Sequence, residues 1–146
     1  MTEITTRPAA SSEWREIAEL LETNNLPVDG AREHLDTYWV ALDGSEVVGT
    51  IGIELYGSVA LLRSAAVQAS RRSIGVGRAL VAVAIEAAAS RGVEAVYLLT
   101  TTAKRYFAAQ GFNVLEREQM PAVLQNSAEL RGACPASAIC MERRLA

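Results

Sequence analysis

Residues 71–81 read RRSIGVGRALV: two arginines and a pair of glycines directly ahead of an apolar helical pattern. Where a strand gives way to a helix, unpaired backbone N–H groups and the positive end of the helix dipole converge on one point, and such a point binds anions. Gly75 and Gly77 remove the side chains that would hold a phosphate off the backbone, while Arg71, Arg72 and Arg78 add charge around it. A diphosphate is the natural guest. Two familiar phosphate motifs fail here: a Walker loop requires a GKS or GKT ending, and a dinucleotide fingerprint requires a third glycine where Leu80 stands.

The flanking elements must put that point at the end of a strand. Ile4–Arg7 reads as a short strand, and Ser11 or Ser12 is expected to cap a helix carrying Trp14, Ile17, Ala18 and Leu21 at helical spacing. After a break at Pro27, Asp29 and Gly30, AREHL predicts a further turn or two of helix. TYWVALDG and EVVGTIGIELYG then predict a hairpin about an Asp-Gly turn. Strand alternation sends Ile51, Ile53 and Leu55 to one face and Gly52, Glu54 and Tyr56 to the other. SVALLRSAAV is a further strand, leading straight into the glycine run. Beyond the long helix, VEAVYLLT is a nearly continuous apolar run, as a strand buried on both faces requires. TTAKRYFAAQGF predicts a short helix stopped at Gly111, FNVLERE a strand, PAVLQNS a turn or two of helix begun by Pro121, and SAICMERRL a last strand. The order describes an α/β fold with a mostly antiparallel first half and a strand-helix-strand centre.

With 146 residues, half of them apolar, the chain can close one sizeable core, and residues 1–146 are expected to form a single domain. A formal net charge of −3 and a pI of about 5.2 lack the basic footprint of a nucleic-acid binder. The polar start MTEITTRPAASSEWREI does not read as a signal peptide and no later segment reaches the length of a membrane span, so a soluble, cytoplasmic protein with no membrane partner is expected. One histidine and two cysteines six residues apart, Cys134 and Cys140, supply too few ligands for a zinc site, and the thiols are expected to be reduced and packed. A homodimer is compatible with the sequence.

Arg72-Ser73-Ile74-Gly75-Val76-Gly77 matches the arginine-x-x-glycine-x-glycine signature of the GCN5-related N-acetyltransferases, and its setting resembles that family over nearly the whole chain. The signature follows a strand ending Ala65-Ala66-Val67, precedes a helix, and is followed by a buried strand and a helix ending Gly111-Phe112. The resemblance implies a mixed sheet of about seven strands, splayed at its centre, with helices on both faces. It implies acetyl-coenzyme A as acetyl donor, its pyrophosphate on the backbone N–H groups from Ser73 to Arg78 and its pantetheine along Ala65, Ala66 and Val67. IELYG, LLRSAAV, LLTTTAKRYFAAQGF and CPASAICM further resemble the arsenic-resistance N-acetyltransferases, and LLTTTA followed by an aromatic resembles the acetyltransferase domain of N-acetylglutamate synthases. Both likenesses imply an acceptor such as the α-amino group of an amino acid, or of a glutamate-like toxic analogue of the arsinothricin or phosphinothricin type. A protein or polyamine acceptor and a non-catalytic acyl-coenzyme A binder are the alternatives.

One departure matters. The tyrosine that the family often places four residues before the glycine of Gly111-Phe112 is here Phe107, which has no proton to give; its neighbour Tyr106 or water must protonate the departing thiolate. For the remaining chemistry, Glu54 is either the base or the partner of Arg63. Of Arg63 and Ser64, one is expected to face the acceptor, the choice depending on whether the strand bulges; Arg63 there would bind a carboxylate. Tyr56, Trp39 and Tyr38 either wall the acceptor pocket or belong to the core. Thr101, with Thr100 and Thr102, either bonds pantetheine or acceptor or caps the next helix. His34, in the AREHL segment that the resemblance lays over the acceptor, is either a base or lid contact or a solvent-facing helix residue.

Overall fold

The computed structural model describes residues 4–72 and 74–145; Ser73, expected in the anion cradle, lies outside the described residues. Seven strands form one sheet in the order β1-β2-β3-β4-β5-β7-β6, comprising β1 (Ile4–Pro8), β2 (Tyr38–Asp43), β3 (Glu46–Tyr56), β4 (Val59–Val67), β5 (Ala95–Thr100), β6 (Asn113–Leu115) and β7 (Ile139–Arg144). Every neighbouring pair is antiparallel except β4 and β5, which are joined through the helix α2 (Val76–Ser90) and therefore run parallel.

The alternation of β2 divides the core. Trp39 and Ala41 join Ile51, Ile53 and Leu62 under α2, whose buried Val76, Leu80, Val81, Ala84 and Ala88 recur at helical spacing. Tyr38, Val40 and Leu42 face the other way onto Ile17, Leu20 and Leu21 of α1 (Trp14–Thr23). The short helix α3 (Lys104–Ala109) adds Phe107 to the α2 side, edge-to-face with Phe112. Among the described residues, no helix is long and apolar enough to cross a membrane.

One expected cap is corrected. Ser11 and Ser12 lie within a 3-10 turn, Ser11–Glu13, and neither side chain caps; Glu13 reaches back instead to accept from the Ala10 N–H at 2.8 Å, held by Arg7 at 2.9 Å. AREHL forms a 3-10 segment, Arg32–Thr37, rather than α-helix.

Two irregularities position the site. First, β4 and β5 pair only from Val59 to Leu61 against Ala95 to Tyr97, and past those residues the strands part. Second, Thr50 pairs with Ala66 while Gly52 pairs with Arg63, so Ser64 and Ala65 together oppose Ile51. This is a β-bulge, and Ser64 adopts φ +60° within it.

Candidate active site

Where β4 and β5 part, a cleft of about 1160 Å³ runs from the start of α2 to the loops before β2 and β7. Its lining includes Arg63, Ser64, Ala65, Ala66, Val67, Arg72, Gly75, Gly77, Arg78, Thr101 and Tyr106. Ile74 and Val76, expected at the coenzyme, do not line it: Ile74 is 60% exposed and the Val76 side chain is buried in the core.

The two glycines serve different purposes. Gly75 precedes α2 at φ +88°, the left-handed region that a side chain strains, and nothing surrounds the place a Cβ would take. Gly77 has ordinary helical geometry but no room, because a Cβ there would lie 2.7 Å from the Tyr106 hydroxyl. Both are expected to leave room for a phosphate; within the protein itself, of the two, a Cβ meets a neighbour only at Gly77. Gly75, Gly77 and Arg78 at the start of α2 line this end of the cleft, where the first-turn N–H groups of a helix lack partners within it. Arg71 takes no part, since it turns away to Asp43 at 2.6 Å; Arg72 reaches Asn24 at 2.5 Å from within the lining.

At the far end the bulge places Arg63 and Ser64 on one face, and both line the cleft. The Arg63 Nε donates to Ser64 Oγ at 3.3 Å, and Ser64 Oγ shares a 2.6 Å bond with the Tyr38 hydroxyl. Tyr38 reaches it by lying across Gly52, where any Cβ would overlap its ring. Burial pushes the Tyr38 phenol up to about 12, so it keeps its proton.

All three guanidinium nitrogens of Arg63 are engaged. Besides Ser64, Nη1 donates to Glu54 at 2.8 Å and Nη2 to the Pro27 carbonyl at 3.1 Å. Glu54 is fully buried and absent from the cleft lining; burial alone would raise its pKa, but hydrogen bonds from Tyr56, Arg63 and Ser127 hold it below the usual carboxylate range. A carboxylate so placed is an ion-pair partner, and the expected position of a base is not the one Glu54 takes. His34 is not simply solvent-facing either: its Nε2 stands 3.7 Å from Glu54, and its ring meets Tyr56 edge-on.

Tyr56 and Trp39 do not wall the cleft. Tyr56 donates to Glu54, and Trp39 shares a face with its partner Ile51, turned toward α2. Thr100 accepts from the Ala103 N–H at 3.0 Å ahead of α3, while Thr101 stays in the lining. Tyr106, 40% exposed, keeps its phenol in the cleft; burial raises its pKa, opposed by Arg78.

A residue that sequence reasoning passed over completes the site. Glu129 lies on an irregular turn, Glu129–Ala133, with its side chain 5% exposed, lining the cleft 3.5 Å from Arg63 Nε. Burial pushes its carboxyl up to about 7, against the pull of Arg63. Burial, with the Glu129 carboxylate nearby, pushes the Cys134 thiol up to about 12. Such a thiol stays protonated and is a poor nucleophile or metalloid ligand. The only signal in the sequence was a glutamate among Leu124, Leu130 and Ala138, where an exposed loop would be more polar.

An uncharacterised N-acetyltransferase of Chlorobaculum tepidum is 33% identical over 95 residues, covering 64% of this chain and 61% of the relative. Among solved structures, N-acetylglutamate synthase of Neisseria gonorrhoeae, complexed with coenzyme A and N-acetyl-glutamate, superposes with a TM-score of 0.84 at 21% identity, over 100% of this chain but 36% of that one. Rv2747 of Mycobacterium tuberculosis, in complex with CoA, gives a TM-score of 0.82 at 20% identity, over 97% of this chain and 99% of that one. This chain thus spans well under two thirds of the synthase and slightly less than two thirds of the Chlorobaculum relative. A profile of the acetyltransferase (GNAT) family matches residues 4–112, which include the first five strands, the cradle at the start of α2 and the cleft face of α3, and by that match the chain belongs to the family.

Proposed function

We propose that the protein transfers the acetyl group of acetyl-coenzyme A directly to the amine of a small molecule. The observation that carries this is the single cleft with an anion cradle at one end and a buried polar group, Arg63 with Glu54 and Glu129, at the other. The cradle suits the diphosphate, and the gap past Leu61 and Tyr97 leaves strand backbone for the amides of pantetheine. The acetyl group would then lie toward Arg63. The loops that carry Pro27 and Cys134 flank that end, which favours a small acceptor over a folded protein. Cys134 is held as a thiol, so the amine attacks the thioester without an acetyl-enzyme intermediate.

For the acceptor, we infer an amino acid or glutamate-like analogue, supported by the fold shared with a synthase that holds N-acetyl-glutamate. One observation favours a second reading, an amine without a carboxylate. Arg63 is already matched by Glu54 and three of its five N–H donors are engaged, so an acceptor carboxylate meets a guanidinium whose charge is already balanced.

Release of coenzyme A thiol from acetyl-coenzyme A tests the proposal, measured with L-glutamate, phosphinothricin, arsinothricin, a polyamine and a peptide as amines. Preference for the first three supports the amino-acid acceptor, and preference for the polyamine supports the second reading. Binding of acetyl-coenzyme A with no amine-dependent release would make the chain a binder and sink the enzymatic reading.

A further inference from the structure

We propose that Glu129, on the turn before β7, is the group that takes the proton from the acceptor amine. The inference rests on the acetyl-transfer reading and is independent of which amine is acetylated.

Two carboxyl groups flank the Arg63 guanidinium, and their settings divide the work between them. Glu54 has the closer ion pair, a bond from Tyr56, no exposure and no place on the cleft. Its charge is committed to holding Arg63. Glu129 stands off at 3.5 Å from Nε and lies on the cleft, where Cys134 also lines the wall. It therefore has lone pairs to offer a ligand that enters the cleft.

Charge balance leads to the same assignment. One guanidinium between two ionised carboxylates leaves an uncompensated buried negative charge, which is costly, so one of the two holds a proton more readily than usual. The hydrogen bonds on Glu54 keep it ionised, and the proton falls to Glu129, whose burial brings it to about 7. The groups that face it are Arg63 and Glu54 from the sheet, Tyr38 from β2, and Cys134 from its own loop. A carboxyl poised near neutrality is matched to general base work at that pH.

The step balances as follows. An acceptor ammonium gives one proton to the Glu129 carboxylate, and the freed nitrogen lone pair attacks the acetyl carbonyl carbon. The C–N bond forms and the C–S bond breaks, the sulfur leaving with the electron pair. The second nitrogen proton reaches the thiolate through water or the Tyr106 hydroxyl, and Glu129 returns its proton to solvent through the cleft. Ammonium and thioester become amide and thiol with one net proton released.

The test is the pH dependence of kcat/KM for amine-dependent thiol release, using the full chain and the best amine of the panel above, in wild type, E129Q and E129D. Glu129→Gln keeps the shape and removes the base. It should lower kcat/KM by about 10²-fold or more and abolish the limb that rises toward neutral pH, while acetyl-coenzyme A affinity by calorimetry stays unchanged. Glu129→Asp should retain the limb at a reduced rate, which separates loss of the base from loss of the fold. A wild-type rate in E129Q, or the same limb in E129Q, would assign that limb to the amine itself and overturn the proposal while leaving acetyl transfer intact. No amine-dependent release by the wild type would overturn acetyl transfer and this proposal with it.

Discussion

Arg63 and Glu54 meet at 2.8 Å across β4 and β3, with neither side chain exposed to water. Their strand partners are Gly52 and Leu61, so the two stand diagonally on one face of the sheet, and the contact is fixed by register rather than by side-chain search. Removing one member leaves the other charged and uncompensated in the interior. Arg63→Ala should therefore cost about 3–5 kcal/mol of stability, read from urea unfolding, whereas replacing both residues by leucine should cost much less. A single substitution as mild as the double one would mean that water reaches the pair.

The same pair alters what Arg63 says about substrates. If its charge is spent on Glu54, any loss of kcat/KM in Arg63→Ala should be the same for glutamate and for its decarboxylated amine. A loss confined to glutamate would show that the acceptor displaces Pro27 or Ser64 from the guanidinium.

Glu129 also predicts a dependence of stability on pH. Its folded pKa, about 7, is above the ordinary value of 4.5, so the unfolded chain gives up this proton first as pH rises. Folded stability should fall between about pH 4.5 and 7 by up to about 1.4 kcal/mol per unit from this group, and be fully present below 4.5. In Glu129→Gln that slope should vanish from the urea midpoints; an unchanged slope would place its origin elsewhere.

The start of α2 offers a paired test. Gly77→Val should abolish acetyl-coenzyme A binding by calorimetry, because its side chain collides with Tyr106 and fills the cradle. Combining Gly77→Ala with Tyr106→Ala should recover binding relative to Gly77→Ala alone, if the collision is the cause. For Gly75→Ala the expected cost is backbone strain of about 1–2 kcal/mol with little steric effect, since the space is empty.

Tyr106 itself carries a kinetic prediction. Its phenol keeps its proton and lies in the cleft, so if it protonates the thiolate, Tyr106→Phe should lower kcat by about 10²-fold with little change in coenzyme affinity. Wild-type kcat under conditions where chemistry limits turnover would give that proton to water.

How much of this was legible beforehand depends on the kind of signal. Most strands, α2 and the Gly111 stop carry periodicity or turn chemistry and appear where the pattern places them; of FNVLERE only Asn113–Leu115 is strand, and Arg117–Gln119 forms a 3-10 turn. The bulge at Ser64 had no such mark, because serine is not a residue that announces a positive φ, and alternation alone cannot count an inserted residue. Trp39 was read without its register, yet its partner Ile51 fixes its face. Glu129 was invisible for a different reason. It sits in a segment without period, where a glutamate reads as solvated charge, and only the folding of that loop over Arg63 turns it inward. Local elements follow local patterns; the site was assembled by contacts far apart in sequence.

The parting of β4 from β5 has a further consequence for the protein in solution. By sheet order these are central strands, yet beyond Leu61 and Tyr97 each is an edge, with backbone donors and acceptors that no strand satisfies on that side. An edge in the middle of a sheet is a template for any extended chain that can enter, including a segment of another copy, so the free protein should aggregate more readily than the coenzyme-bound one. Amide exchange along Leu62–Val67 should accordingly slow on addition of coenzyme A far more than exchange in β2, which has a strand on each side. The ligand would then act as the missing piece of the sheet, and coenzyme A in the storage buffer should do for this molecule what a protecting strand does for others.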